Sequence, residues 1–217
     1  MATLLHIDSS LHGDEDSHSR KVTAAFRKAW EDQHPTGRVI YRDLAADPVP
    51  HITLVPYYAS FTAAEERSAE QNEAFALRET LLQETEAADA LLIGAPVYNY
   101  SIPSVLKAWI DHVVTLGRNV GAEKSPLAGK PTVVVTSRGG AYGPGTPEEG
   151  NDFAVPYLEL VLRDKLELDL ELIVPELTLA PVNEAMKDLI PLFEESSAKA
   201  LAEAEEKGKA LAARLSA

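Results

Sequence analysis

The sequence predicts an α/β fold, a doubly wound parallel sheet of five strands with helices on both faces. Three observations carry that prediction. Five strand-like segments alternate with helical patterns along the chain. Two of them, Ala90–Gly94 and Thr132–Thr136, are continuous apolar runs, as expected of strands buried on both faces. Three loops rich in serine, asparagine or glycine each follow a strand, where such sheets bind ligands. The 217 residues suffice for one domain with a substantial core, and neither an internal repeat nor an interdomain linker interrupts them.

The elements follow in order. Strand Thr3–Ile7 runs into Asp8-Ser9-Ser10. Ser19–Gln33 sets Val22, Ala25, Phe26, Ala29 and Trp30 at helical spacing, and Gly37 stops it. Arg38–Tyr41 carries Val39 and Ile40 as a second strand. Asp47–Pro56, with three prolines, reads as a surface loop. Thr62–Thr85 is a polar helix with a weak stripe of Phe75, Leu77, Leu81 and Leu82. After strand Ala90–Gly94, Pro103–Leu116 is amphipathic, with Leu106, Trp109, Ile110 and Val113 on one face. Thr132–Thr136 is the fourth strand and Phe153–Leu166 the helix after it. Leu168–Val174 alternates more and belongs nearer an edge. Asn183–Leu215 is a long helix whose first part Pro191 ends or kinks.

Composition removes several classes of function. Twenty Lys and Arg against 34 Asp and Glu leave a formal charge of −14, so no basic surface serves a nucleic acid or an anionic membrane. The absence of cysteine excludes disulfides, thiolate metal sites and cysteine nucleophiles, and suits a reducing cytoplasm. The N-terminal segment lacks the basic and long apolar regions of a signal peptide, and no apolar run reaches transmembrane length. A cytoplasmic protein is expected. His12 and His18 near Asp14 and Asp16 do not make a ligand set with metal spacing, so no metal is expected.

With strands in the order 2-1-3-4-5, the loops after the first and third flank the switch point, and the fourth strand's loop joins them. The first, Asp8–Arg20, is neither a Walker loop nor a dinucleotide fingerprint, since Gly13 stands alone. Its Ser10, Ser17 and Ser19 precede a helix, whose terminal amides together with hydroxyls suit a phosphate. Asp14, Glu15 and Asp16 oppose a dianion unless they point to solvent, and Arg20 partly offsets them. The alternative for Ser17 or Ser19 is a plain N-cap. The second loop, Ala95-Pro96-Val97-Tyr98-Asn99-Tyr100-Ser101-Ile102-Pro103, offers amides, an amide side chain and two rings, which suit a flat heteroaromatic ligand. The third, Ser137-Arg138-Gly139-Gly140-Ala141-Tyr142-Gly143, has paired glycines that allow positive φ and close backbone approach; a flexible turn is the alternative. Residues 143–150 read as a flap over the pocket or as a long surface loop. His112 reads as a surface or interface residue. No Gly-x-Ser-x-Gly elbow or hydrolase triad is present.

These residues resemble the FMN-dependent NADH azoreductase and NAD(P)H:quinone oxidoreductase family of the flavodoxin-like superfamily. The likeness rests on Asp8-Ser9-Ser10 with Ser17-His18-Ser19-Arg20, on Pro96–Pro103, on Leu106-Lys107-Ala108-Trp109-Ile110-Asp111 and on Ser137-Arg138-Gly139-Gly140, and extends to about Leu158. The resemblance implies a flavodoxin-like sheet of order 2-1-3-4-5 and a bound FMN. Ser10, Ser17, His18 and Ser19 would hold its phosphate. Pro96, Val97, Tyr98, Asn99 and Tyr100 would line the isoalloxazine, and Ser137, Arg138, Gly139 and Gly140 its pyrimidine side. Tyr142 is a candidate donor to substrate, as is Tyr98. The resemblance further implies ping-pong hydride transfer from NADH, or NADPH, to a quinone or azo acceptor. It also implies a homodimer with flavin at the subunit interface, where Trp109 and Ile110 have a use. A non-catalytic flavodoxin-like electron carrier and an NADPH-dependent FMN or metal-ion reductase of the same fold are the alternatives. The sequence departs from the family in an acidic first loop, in a charged, glycine-free Glu159–Asp169 and in an extended C-terminal helix.

Overall fold

A computed structural model describes residues 2–216. Five parallel strands, β1 (Thr3–Asp8), β2 (Arg38–Asp43), β3 (Ala90–Gly94), β4 (Pro131–Val135) and β5 (Asp169–Ile173), form one sheet in the order β2-β1-β3-β4-β5. The expected order and strand positions hold within a residue or two. β3 is buried along its whole length, whereas β5 alternates and stands at the edge.

Side-chain alternation divides the core into two layers. Leu5, Ile7, Leu91 and Ile93 point to one face, beneath α3 (Ala69–Ala87), α4 (Ser104–Val113) and α5 (Val155–Leu158). Leu4, Leu92, Val133 and Val135 point to the other, against Phe26 and Trp30 of α1 (His18–Gln33) and Ala204 and Leu211 of α6 (Ile190–Ser216). Helices α1 and α6 pack so closely that a Cβ on Gly208 would stand 2.5 Å from the Phe26 carbonyl oxygen.

Several elements differ from the sequence reading. The proline-rich stretch after β2 is not loop throughout: a short helix, α2 (Leu54–Ala59), begins inside it. Pro56 lies in its first turn, where a missing N–H costs nothing. The polar helix begins at Ala69 rather than Thr62, because Ser68 and Gln71 form a capping box that fixes its start. The helix expected over Phe153–Leu166 starts at Val155 and passes from one α-turn into a π-helical stretch, Glu159–Lys165. Pro191 sits in the first turn of α6, after a 3₁₀ stretch Glu184–Leu189, so the long segment is divided there.

Burial decides between core and interface for Trp109, both open from the sequence, and overturns the reading of His112 as a surface or interface residue. Trp109 and Ile110 are 1% and 2% exposed and belong to the inner layer beneath the helix, so they are not interface residues. His112 is buried too, with Nε2 at 2.9 Å from the Pro50 carbonyl oxygen. That contact ties α4 to the segment before α2. Among the described residues no helix is long and apolar enough to cross a membrane.

Candidate functional site

β1, β3 and β4 end in register, Asp8 beside Gly94 and Gly94 beside Val135. The loops that leave these ends line one crevice of about 1210 Å³. It lies where strand order reverses, at the carboxyl edge between β1 and β3.

The first loop supplies the crevice's polar end. Ser10, Ser17 and His18 line it. Ser17 caps α1, accepting from the Arg20 amide at 3.3 Å, and its hydroxyl shares a 3.2 Å hydrogen bond with Ser19 Oγ. Ser19 itself is fully buried beside Ser17 and does not line the crevice. The His18 and Ser19 amides, in the first turn of α1, donate to no described partner, which leaves them for an anion. Burial and the neighbouring Lys21 hold His18 below its ordinary value, which favours the neutral ring in the unliganded site. Of the acidic trio, Asp14 has 87% of its side chain exposed and stands 3.5 Å from Arg20, while Asp16 reaches the crevice lining.

Beneath this loop lies a buried polar cluster that the sequence reading did not find. Asp8 accepts hydrogen bonds from Thr23 Oγ1 and Tyr41 Oη, each at 3.1 Å. His6 Nε2 approaches Asp8 Oδ2 to 3.1 Å, off the line of a hydrogen bond. Burial raises the Asp8 carboxyl, but the contacts with His6, Arg20 and Thr23 outweigh it and hold the group below its ordinary value. Gly94 makes the cluster possible, because a Cβ there would stand 2.4 Å from Asp8 Oδ1.

The second loop forms the crevice wall. Pro96, Val97, Tyr98 and Asn99 line it. Tyr98 and Ser101 exchange backbone hydrogen bonds of 2.9 and 3.1 Å around Asn99 and Tyr100, whose φ values are 48° and 70°. Two successive positive φ angles are those of a type I′ turn, favourable for asparagine and costly for tyrosine. The strain sits in the crevice wall at Asn99, as strained turns at ligand sites often do. Tyr100 itself turns away, half exposed and outside the lining. The Tyr98 hydroxyl is committed: it bonds Ser10 Oγ and accepts from the Leu11 amide, both at 3.1 Å. It joins the first loop to the second rather than reaching for substrate.

The third loop enters through Ser137 and Gly139. Its glycines do not adopt positive φ; closeness is what Gly139 provides, since a Cβ would meet Leu179 at 2.6 Å. The Gly139 and Gly140 amides donate to no described partner, while their carbonyls accept from Leu179 and Leu177, each at 3.2 Å. Gly140 lies outside the crevice lining, and Arg138 and Tyr142 do also. Arg138 pairs with Asp152 at 2.6 Å and Glu176 at 3.3 Å, fastening residues 141–153 against the segment after β5. The Tyr142 ring stacks near this guanidinium, 5.4 Å from it.

Two further walls were not assigned from the sequence, although Lys107 lies in the Leu106–Asp111 stretch. Thr178, Leu179 and Val182, after β5, close one side. Lys107 of α4 and Tyr157 of α5 stand on another, and burial pushes the Tyr157 phenol up to about 12. The only available signals were a lysine on the polar face of α4 and a tyrosine just before the charged stretch.

The neutral donors at one end, the shaped wall and the free amides fit a flat ring carrying a phosphate. Comparisons agree. The family model described as flavodoxin-like fold matches residues 2–164. An FMN-dependent NADH:quinone oxidoreductase of Streptomyces coelicolor is 59% identical over 217 residues, covering 100% of this chain and 98% of the relative. One of the same description from Streptomyces avermitilis is 54% identical, with both chains covered completely, 100% and 100%. The azoreductase from Bacillus anthracis superposes with a TM-score of 0.81 at 23% identity, covering 96% of this chain and 99% of that one, a likeness of fold. The chain belongs to the family of FMN-dependent NADH:quinone oxidoreductases and has its flavodoxin-like fold.

Proposed function

We propose that this chain passes a hydride from NADH, with NADPH the second candidate, to quinones and azo compounds by way of an FMN held in the crevice. The carrying observation is the donor set at the switch point. Unpartnered His18 and Ser19 amides and the Ser10 and Ser17 hydroxyls lie at one end, and the Pro96–Asn99 wall with Ser137 and Gly139 at the other. When bound, the flavin supplies the hydride chemistry, which is why no catalytic triad accompanies the site.

The side chains position and insulate. Ser10, Ser17, His18 and Ser19 hold the phosphate with neither Arg20 nor Lys21 in the lining, Ser19 from behind through Ser17. Tyr98 and Asn99 shape the ring wall, with Tyr100 fixing its turn. The Gly139 amide would offer a hydrogen bond to a ring carbonyl, where negative charge would develop on reduction, with Gly140 behind it. Arg138 and Tyr142 act behind this loop. The crevice, at about 1210 Å³, exceeds the roughly 300–1,000 Å³ of a single-ligand pocket. The excess accommodates nicotinamide and acceptor in turn beside the flavin.

The whole chain serves as one domain in this reading, working in the cytoplasm as a homodimer with flavin at the subunit interface. With Trp109 and Ile110 internal, the exposed Leu11, Leu179 and Val182 at the crevice mouth are the surface that supports the dimer. Steady-state NADH oxidation with a quinone tests the reading. Repeated turnover is expected; a flavoprotein that gives none is an electron carrier.

A further inference from the structure

Arg20 follows the serine–histidine–serine run of the first loop, and a cation at that place is easily taken for a phosphate ligand. Its geometry points the other way. The side chain is 6% exposed and absent from the crevice lining. Nη2 donates to the Ser10 carbonyl at 3.0 Å and to Asp43 Oδ1 at 2.7 Å. Nη1 donates to Tyr41 Oη at 3.0 Å and lies 4.0 Å from Asp8 Oδ2. Asp43 is itself fixed, accepting from the Ala45 and Ala46 amides at 3.0 and 3.2 Å. The guanidinium therefore spans the ends of β1 and β2 beneath the loop, anchored to groups that cannot easily move.

Its hold on Ser10 has a partner on the opposite side. The Ser10 carbonyl and the Leu11 amide belong to one planar peptide unit. Arg20 grips the carbonyl end, and Tyr98 Oη, from the aromatic loop, accepts from the amide end at 3.1 Å. The same Tyr98 oxygen reaches Ser10 Oγ at 3.1 Å. A plane held at both ends has a fixed orientation, and Ser10's side chain and the rest of the loop inherit it. The clamp also fixes the separation between the crevice's phosphate end and its ring wall, because one member comes from each.

We propose that Arg20 is a positioning residue for the cofactor: it clamps the Ser10–Leu11 peptide against Tyr98, and so sets the phosphate loop in register with the ring wall without touching the ligand. The inference rests on the reading of this loop as the FMN phosphate site. A ligand that spans both ends needs the register; a flavin lacking the phosphate does not. Arginine is required for the fork, because a single ammonium cannot hold the Ser10 carbonyl, Asp43 and Tyr41 in their present directions.

The test is titration of the apoprotein with FMN and with riboflavin, followed by quenching of flavin fluorescence, for the wild-type chain, Arg20→Lys and Arg20→Gln. Arg20→Lys keeps a cation against Asp43, so it tests the fork even if Arg20→Gln does not fold. The expected result is FMN affinity about tenfold weaker in Arg20→Lys, and weaker still in Arg20→Gln, with riboflavin affinity within about twofold of wild type in both. Wild-type FMN affinity in Arg20→Lys overturns the clamp, as does equal weakening of both flavins, which marks a general structural prop. A wild-type chain that binds FMN no more tightly than riboflavin overturns the phosphate reading itself, and the clamp with it.

Discussion

Replacing Gly94 by alanine attacks the joint between the sheet and the first loop. The added methyl would stand 2.4 Å from Asp8 Oδ1 and 3.4 Å from Thr23 Cγ2. Ordinary carbon contacts lie near 3.5–4.0 Å, so the carboxylate must retreat by roughly 1 Å. It has nowhere to go without losing the Thr23 or the Tyr41 hydrogen bond, each at 3.1 Å. Overpacking a tight core costs about 1–3 kcal/mol, and one broken hydrogen bond adds about 1 kcal/mol. Gly94→Ala is therefore expected to lose about 2–4 kcal/mol, a large share of a typical domain's roughly 5–15 kcal/mol. Guanidinium denaturation reads this as a lowered midpoint with unchanged slope. Asp8→Ala, which also destabilises by removing the acceptor of Thr23 and Tyr41, should relieve the clash, so the double variant should cost less than the sum by about 1 kcal/mol or more. A loss below about 0.5 kcal/mol for Gly94→Ala, or strict additivity in the pair, refutes the argument.

Other expectations follow from the same geometry. Asn99→Ala should weaken FMN binding without unfolding the chain, while destabilising the turn by about 1 kcal/mol because φ is 48° there. Asn99→Gly keeps the turn and should weaken FMN alone; unchanged titrations in both variants remove Asn99 from the site. Asp8 and Asp43 both ionise below their ordinary range in the folded chain: burial opposes this, but the His6 contact at Asp8 and the Arg20 hydrogen bond at Asp43 prevail. The stability they add is full above the unfolded carboxylate value of about 4 and drains away as pH falls through their lower folded values. Unfolding measured against pH should show that loss, and Asp8→Asn should flatten it while lowering stability at neutral pH. An unflattened acid limb rules Asp8 out as a source. Gly208→Ala should destabilise by about 1–3 kcal/mol, since its methyl meets the Phe26 carbonyl oxygen at 2.5 Å; a neutral effect shows that α6 shifts freely.

The sheet was legible because burial on both faces leaves continuous apolar runs, as in Leu91-Leu92-Ile93 and Val133-Val134-Val135. The three loops were legible because their residues serve ligands and turns at strand ends. What escaped was set by distance in sequence. Asp8, Tyr41 and Arg20 each look unremarkable alone, and only the pairing of β1 with β2 brings them together. The amphipathic face of α4 announced burial of Trp109, but periodicity cannot say whether the same chain or another covers it. Conformation was misplaced for a similar reason. The paired glycines invited positive φ, yet the chain puts it on Asn99 and Tyr100, where a tight turn closed by Tyr98 and Ser101 imposes it. Thr178, Leu179 and Val182 line the crevice through the return of the chain after β5, which no local pattern reveals.

The central claim is that the crevice between β1 and β3 holds a flavin that NADH reduces. Absorbance of the purified protein, before and after anaerobic addition of NADH, tests it most directly. A yellow protein with flavin absorbance that bleaches with NADH and recovers its colour on adding quinone is the predicted result. A colourless protein that binds no added FMN contradicts it.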